Sequence, residues 1–510
     1  VAHREPQARR AQRAAGERSS SRPGARAHGA VHDALLLAVV LAAAVAAYRP
    51  FLGLGHLGWD TYPLILTSRI TSASDLIGAF REELMDGRYP YGHFYRPVTT
   101  LSFALDHAVW GLHAYGYHLS DVALLLACTA GVAALGRRLL GPGPGPLLAA
   151  LVFALHPLHV ETVPVAARRA DGLAMLFTLL ALVAARRAGR RAGLCALCAA
   201  LSVGAKETGT LVVPLLLALS YAESGPARFR ERVRAAVRSS ALPMAAVGLV
   251  LLARSAVLGG IGGHPESSLL GGAARGLAIA PHYAFLLLMP QPLVSDTGLA
   301  WALVAAAAAG LAIGLGWLVE PATLRRLLVV CGTWLLITLW LTGVSGAIAS
   351  WYAVAFLPAV SLSIGAVAQG AARRAAEHRR AAAFGAVATG LLLVLALRFT
   401  PLVHAYPEWP AVSRRSHEFL ERVRAAVRDA APGDVRSVSG IPLGIAAPLE
   451  RVGVRSALGI AEYSVEAWAE LTAPDRRVVV VRSDGRPTSR ARPDAIVIET
   501  TPDPESSLLP

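Results

Sequence analysis

Long apolar runs, most of them ended by a pair or cluster of arginines, recur from Ala34 to Leu397 and decide what this chain can fold into. A backbone entering hydrocarbon must satisfy its own N–H and C=O groups, and a helix of about 20 apolar residues does so while crossing the membrane. A hydrophobic content of 54% over 510 residues, with a mean hydropathy of +0.49, is too apolar for a soluble protein. The chain therefore reads as an all-α polytopic membrane protein.

A net charge of +15 invites a nucleic-acid partner, but the arginines sit between apolar runs, where a positive-inside bias puts them. The charge reads as topology, and no nucleic acid is expected. Of 49 basic residues Lys206 is the single lysine, and with the abundant alanine this looks like the codon bias of a high-GC bacterium. A bacterial plasma membrane is the expected location. Cys128, Cys195, Cys198 and Cys331 all lie inside apolar runs, so neither disulfides nor a zinc site is indicated.

Residues 1–30 carry seven arginines without apolar periodicity and read as a disordered basic tail in the cytoplasm. A domain of membrane spans follows over 31–399. Its first outer loop, 55–117, is rich in aromatics, and Leu76–Leu84 and Thr99–Leu112 have the spacing of helices lying in the interface. The run 276–289 contains Pro281 and His282 and reads as interfacial or re-entrant, which leaves about eleven spans, the last near 382–397. Residues 400–510 then lie outside the cell. There Ser416–Val427 reads as a helix, and Val478–Val481 and Ala495–Ile498 as strands of a small α/β element.

The densest polar stretch within the spans runs from Phe153 to Asp171 and holds His156, His159, Glu161, Arg168, Arg169 and Asp171. Ionisable groups at such depth mark a functional site or pair with one another. The spacing His-x-x-His-x-Glu, broken by Pro157, does not match the helical zinc motif, so no metal is favoured and no cofactor is expected, although a divalent ion stays open. His156, His159, Glu161, Arg169 and Asp171, together with Glu207, read as the wall of a pocket, with an Asp171 pair to Arg168 or Arg169 as the ordinary alternative.

Asp60, in the first outer loop, could act as a general base toward an acceptor hydroxyl, or be a solvated aspartate or helix cap. Lys206, at the outer end of a span beside Glu207, suits a position that needs a compact ammonium, such as one facing a phosphate; a Lys206–Glu207 pair is the alternative. Arg96 and Arg254, also outside, could do the same electrostatic work. No nucleophile elbow and no nucleotide-binding loop appears, which disfavours a pump or a soluble-type hydrolase.

Taken in order, Trp59-Asp60, Tyr95-Arg96-Pro97-Val98-Thr99, Gly116-Tyr117-His118, His156-Pro157-Leu158-His159-Val160-Glu161, Arg169-Ala170-Asp171 and Lys206-Glu207 resemble the membrane portion of GT-C glycosyltransferases. The likeness runs to the transmembrane and tetratricopeptide-repeat O-mannosyltransferases and their bacterial relatives, over roughly residues 35–370, with Pro290–Asp296 a looser match. It implies an inverting enzyme that moves a sugar, mannose-like, from a polyprenyl-phosphate donor to a protein, glycan or lipid hydroxyl on the outer face, with Asp60 at its centre. Two local departures stand out: Thr61 takes the place of a second acid, and Trp351 that of an arginine before Tyr352. The tetratricopeptide repeats are also absent from this sequence. The competing readings are a transporter or flippase for lipid-linked glycans and a non-catalytic scaffold; the first predicts inverted repeats and broken mid-membrane helices, which the sequence does not show.

Overall fold

A computed structural model gives the architecture. It describes residues 23–90, 92–185, 190–225, 228–288, 297–346, 349–375, 400–404, 406–444, 458–481, 487–489 and 494–502, with 383, 387, 390 and 398 as single positions. Six helices among them are long and apolar enough to cross a membrane. The chain is a multi-pass membrane protein.

Helix α1 (Pro23–Tyr48) opens at a proline, a residue suited to the first helical position, so helix begins inside the stretch expected as tail. The first loop holds α2 (Thr61–Thr67), α3 (Ala73–Gly78, capped reciprocally by Ser72 and Asp75) and α4 (Pro97–Trp110). The expected Leu76–Leu84 helix stops at Gly78, while Thr99–Leu112 matches α4 closely. There follow α5 (Ala114–Leu140), α6 (Pro144–Leu155), α7 (Arg169–Ala184), α8 (Arg190–Ala205), α9 (Val212–Glu223) and α10 (Phe229–Leu258). Next come α11 (Gly272–Leu288), α12 (Thr297–Leu318), α13 (Pro321–Ser345) and α14 (Leu357–Ala375).

The bundle has two distinct ends. One carries Arg137, bonded to Asp33, Arg138, bonded to Glu223, and Arg373, which donates to Leu140 O. The other carries Asp60, Arg96, Lys206 and Arg254 and is called here the site end. Four passages between the ends are shorter than expected: α6 and α9 have 12 residues each, α7 and α8 have 16. At 1.5 Å per residue these helices fall short of a hydrocarbon core of about 30 Å. Single-turn 3-10 segments at Pro157–Glu161, Ala166–Arg168 and Glu207–Leu211 join them at the site end. The longer α10 and α13, of 30 and 25 residues, rise past them as walls around a depression.

Helix α11 enters from the site end, with Gly272 and Gly276 against α13. A Cβ on Gly343 would lie 2.1 Å from Gly272 O, so only glycine permits this approach. Its far end stops part way down α12, where Phe285 clusters with Ala300 and Val304. Where an interfacial or re-entrant run was expected, α11 is a helix of 17 residues and is not among the six long enough to cross a membrane. An equally close approach joins α6 to α14, where a Cβ on Gly365 would meet Gly145 O at 2.4 Å. Apart from the single positions 383, 387 and 390, the expected eleventh span at 382–397 lies outside the described residues, as does Pro290–Asp296.

Beyond residue 400 the chain is again at the site end, with Trp409 Nε1 donating to Val160 O at 3.1 Å. Helix α15 (Glu408–Arg428), β1 (Val435–Ile441), α16 (Glu462–Thr472), β2 (Val478–Val481) and β3 (Ile496–Pro502) form an α/β element. The sheet is parallel, in the order β1-β3-β2. Its core of Phe419, Val423, Ile441, Val480 and Ile498 also takes in Tyr62 and Leu66 of α2, so the tail is packed onto the first loop.

Arg169 ties α4, α5 and α7 together, its guanidinium 2.6 Å from Asp106 and 2.6 Å from Asp121, all three buried. Breaking a buried pair by removing one partner leaves uncompensated charge and costs about 3–5 kcal/mol. Arg169→Leu should therefore lower the thermal unfolding temperature of the detergent-solubilised protein strongly, and Arg428→Leu, whose exposed pair is to its neighbour Asp429, should hardly move it.

Candidate active site

Chain order brings Asp60 out of the membrane just after α1, and Gly58, at φ +91°, makes the turn that delivers it. Although Asp60 precedes α2, its side chain makes no capping bond. The carboxylate instead accepts a hydrogen bond from Tyr463 of α16, 2.5 Å from Oδ1. Burial pushes the Asp60 carboxyl above its ordinary range, and the Tyr463 bond, Arg96, Arg168 and His264 pull against it.

Beside it the depression holds a cavity of about 710 Å³. Its polar end gathers Arg96, Asp171, Lys206, Glu207, Arg254 and His264 from four separate stretches of chain. Lys206 Nζ lies 2.6 Å from both oxygens of Asp171, and its head sits 4.9 Å from the centre of the Tyr352 ring. Glu207 is clamped between two guanidinia, with Arg96 Nη2 at 2.7 Å from Oε2 and Arg254 Nη1 at 2.7 Å from Oε1. Three cationic heads thus face two carboxylates, which leaves one positive charge in surplus. The opposite wall is apolar: Val250, Leu251, Trp340, Leu341 and Val344, with Leu269 and the almost fully exposed Leu270 at the lip. A cavity charged at one end and apolar along one wall fits an amphiphile with an anionic head.

Arg96, Lys206, Arg254, Asp171 and Glu207 therefore share one cavity, and the partner of Lys206 is Asp171, not the adjacent Glu207. Four residues expected in its wall do not line it. His156 spends both ring nitrogens on backbone, Nε2 on Leu287 O and Nδ1 on Leu158 N–H. His159 stacks edge-on against Phe153 at 4.8 Å. Glu161 is buried against Arg168 at 2.7 Å, and Arg169 is held by Asp106 and Asp121. The charged groups of this stretch pair inside the fold, its two histidines pack against backbone and Phe153, and with its contacts to Tyr48, Leu287 and Trp409 the stretch became a hub of the scaffold.

Tyr463, Tyr352 and His264 were not identified from the sequence. Tyr463 lies 403 residues from Asp60 and leaves no local signal. At Trp351, where the resemblance implies an arginine, the Arg168 guanidinium lies 3.9 Å over the indole. A cation is thus supplied from another segment. Among the described residues no group of three or more His, Cys, Asp or Glu side chains could hold a metal ion.

No family model matches the chain. It is similar to protein O-mannosyl-transferase TMTC2 of Mus musculus and of Homo sapiens, 46% identical to each over 89 residues, which are 18% of this chain and 11% of each relative. With protein O-mannosyl-transferase Tmtc1 of Drosophila melanogaster it shares 30% identity over 182 residues, 35% of this chain and 19% of that one. The chain thus matches less than a fifth of the length of these relatives. Among solved structures it is similar to the archaeal oligosaccharyltransferase AglB from Archaeoglobus fulgidus, in complex with an inhibitory peptide and a dolichol-phosphate (TM-score 0.48, 13% identity, 78% of this chain and 58% of that one). It is also similar to ArnT from Cupriavidus metallidurans bound to undecaprenyl phosphate (TM-score 0.45, 12% identity, 87% and 88%). The resemblance read from the motifs is thus also a measured similarity of sequence.

The clamp on Glu207 has a pH signature. Burial would raise its carboxyl, but Arg96 and then Arg254 outweigh burial and hold it at about 2, below its ordinary 4.5. A lowered carboxyl contributes stability above pH 4.5 and loses it as pH falls through about 2. Glu207→Gln should accordingly unfold at a lower temperature than wild type near neutral pH, with the gap closing as pH drops from 4.5 toward 2; a gap that stays constant over that window would contradict the clamp.

Proposed function

We propose that this chain is a GT-C-type membrane glycosyltransferase that moves a sugar, mannose in the first instance, from a polyprenyl phosphate to a hydroxyl of a protein, glycan or lipid. The observation that carries this reading is the cavity itself, cationic at one end, apolar along one wall, and set beside the half-buried carboxylate of Asp60. The segment shared with protein O-mannosyl-transferases supports the same reaction class.

Arg96, Lys206 and Arg254 bind the donor phosphate, and the apolar wall between α10 and α13 takes the first prenyl units. A sugar phosphodiester brings one negative charge, which the surplus cation of the cavity offsets. Asp60 removes the acceptor proton as the acceptor oxygen bonds to the sugar carbon. The carbon–oxygen bond to phosphate breaks on the opposite face, its electron pair stays with the phosphate, and the sugar carbon is inverted. The second charge that develops on the leaving phosphate is met by the same cations, which need no rearrangement to receive it. Asp171 and Glu207 hold those cations in place between turnovers.

The arginine-rich end faces the cytoplasm with the N-terminus, and the site end and the tail face outward, in the plasma membrane of a bacterium. The support for this is the positive-inside bias of the arginine clusters and their predominance over lysine.

Asp60→Asn should lower transfer of labelled sugar from polyprenyl phosphate to membrane acceptors by about 100-fold or more, the usual worth of a general base, with the protein present in membranes at wild-type level. Wild-type transfer by this variant would overturn the assignment.

A further inference from the structure

Asp60 stands on a seam between the membrane bundle and the tail. Gly58 N–H donates to Leu458 O at 2.9 Å, the Trp59 indole N–H donates to Leu443 O, and Ser464 Oγ donates to Trp59 O. Three consecutive residues of the first loop are therefore stitched to the tail, and the third of them is the carboxylate. Tyr463 lies in the first turn of α16, and its ring meets Tyr89 of the first loop edge-on at 6.4 Å. Tyr89 in turn packs edge-on against Phe94 at 5.6 Å, and the Arg96 guanidinium lies 4.5 Å over Phe94. The phenol is thus held by neighbours that continue to the cationic end of the cavity.

We propose that Tyr463 is a positioning residue for the transfer reaction, its hydroxyl fixing Oδ1 of Asp60 so that Oδ2 is presented to the acceptor. This rests on the reading of the chain as a sugar transferase with Asp60 as base. Asp60 makes no capping bond ahead of α2, so its orientation is set by the contacts it does make, and the Tyr463 hydroxyl is bonded at Oδ1. Neither Asp60 nor Tyr463 lines the cavity, and the Tyr463 hydroxyl is bonded to Asp60, so its effect falls on the reacting geometry and not on donor binding.

The charged and titratable groups facing Asp60 include Arg96 from the segment before α4, Arg168 from the turn before α7, His264 from the loop after α10, Tyr352 from the segment before α14 and Tyr463 from α16. Burial raises the carboxyl, and the Tyr463 bond leads the influences that lower it. Without that bond the carboxyl moves further up. A base must be ionised to act, so the acid limb of the activity profile then moves to higher pH.

The test compares the full-length wild type with Tyr463→Phe, which keeps the ring against Tyr89, and Tyr463→Gln, whose amide can donate again. One readout needs no donor: the pH dependence of Asp60 labelling by a water-soluble carbodiimide, followed by mass spectrometry. Its midpoint should rise by roughly half a unit to one unit in Tyr463→Phe, the worth of one hydrogen bond, and return part of the way in Tyr463→Gln. In the transfer assay Tyr463→Phe should lose about tenfold in kcat, keep its KM for the polyprenyl-phosphate sugar and show the acid limb displaced upward. An unchanged midpoint overturns the proposal, whether the rate is retained or falls evenly at all pH values. If the midpoint moves but the wild type transfers no sugar, the contact is upheld as the device that sets Asp60, and the transferase reading is what fails.

Discussion

A cation sunk below the end of a membrane bundle costs several kcal/mol unless a carboxylate or a ligand meets it, and the site end is organised by that requirement. Arg168 is met by Glu161, Arg169 by Asp106 and Asp121, Lys206 by Asp171, and Arg96 with Arg254 by Glu207. The balance of charge differs between two regions. Around Arg169 carboxylates outnumber the cation, and the cluster is closed and structural. In the cavity cations outnumber carboxylates, and the lining keeps one positive charge in surplus. The same residue types thus build a closed cluster in one place and line an open cavity in the other.

Helix length places this chemistry. Because α6, α7, α8 and α9 are short, the turns that carry His156–Asp171 and Lys206-Glu207 lie below the rim set by α10 and α13. A charged turn on a long helix would sit in water, where a phosphate is already well solvated and an ion pair is worth little. Sunk between apolar walls, the same groups act in a medium of lower dielectric, and a lipid tail can lie alongside them.

The sequence showed a multi-pass membrane chain, its arginine-rich ends and the helix Thr99–Leu112, because periodicity, length and charge clusters are local properties. It also brought Asp60, Arg96, Lys206 and Arg254 to one face. It overvalued the stretch from Phe153 to Asp171. Polar density reports buried pairs and binding sites alike, and only partners distant in the chain tell them apart: Asp171 for Lys206 is 35 residues away, and Leu287 for His156 is 131 away. Strand β1 was missed because its sequence, VRSVSGI, is mostly polar and exposed, unlike the all-valine β2, and α16 is a helix that packs on α2. Tyr463 could not be found at all without the fold.

That packing decides what kind of appendage the tail is. Asp60 is the residue before α2, and Tyr62 and Leu66 of α2 are buried in the tail's own core beside Phe419 and Val423. Helix α2 therefore cannot shift relative to the sheet without opening an apolar cluster, and Asp60 cannot shift relative to Tyr463 without moving α2. On its other side Asp60 follows the turn at Gly58, where a side chain would strike Val165, which lies in the hub that holds Arg168 and Arg169. The carboxylate is thus fixed by the tail from one side and by the bundle from the other, so its placement depends on the seam between them and belongs to neither part alone.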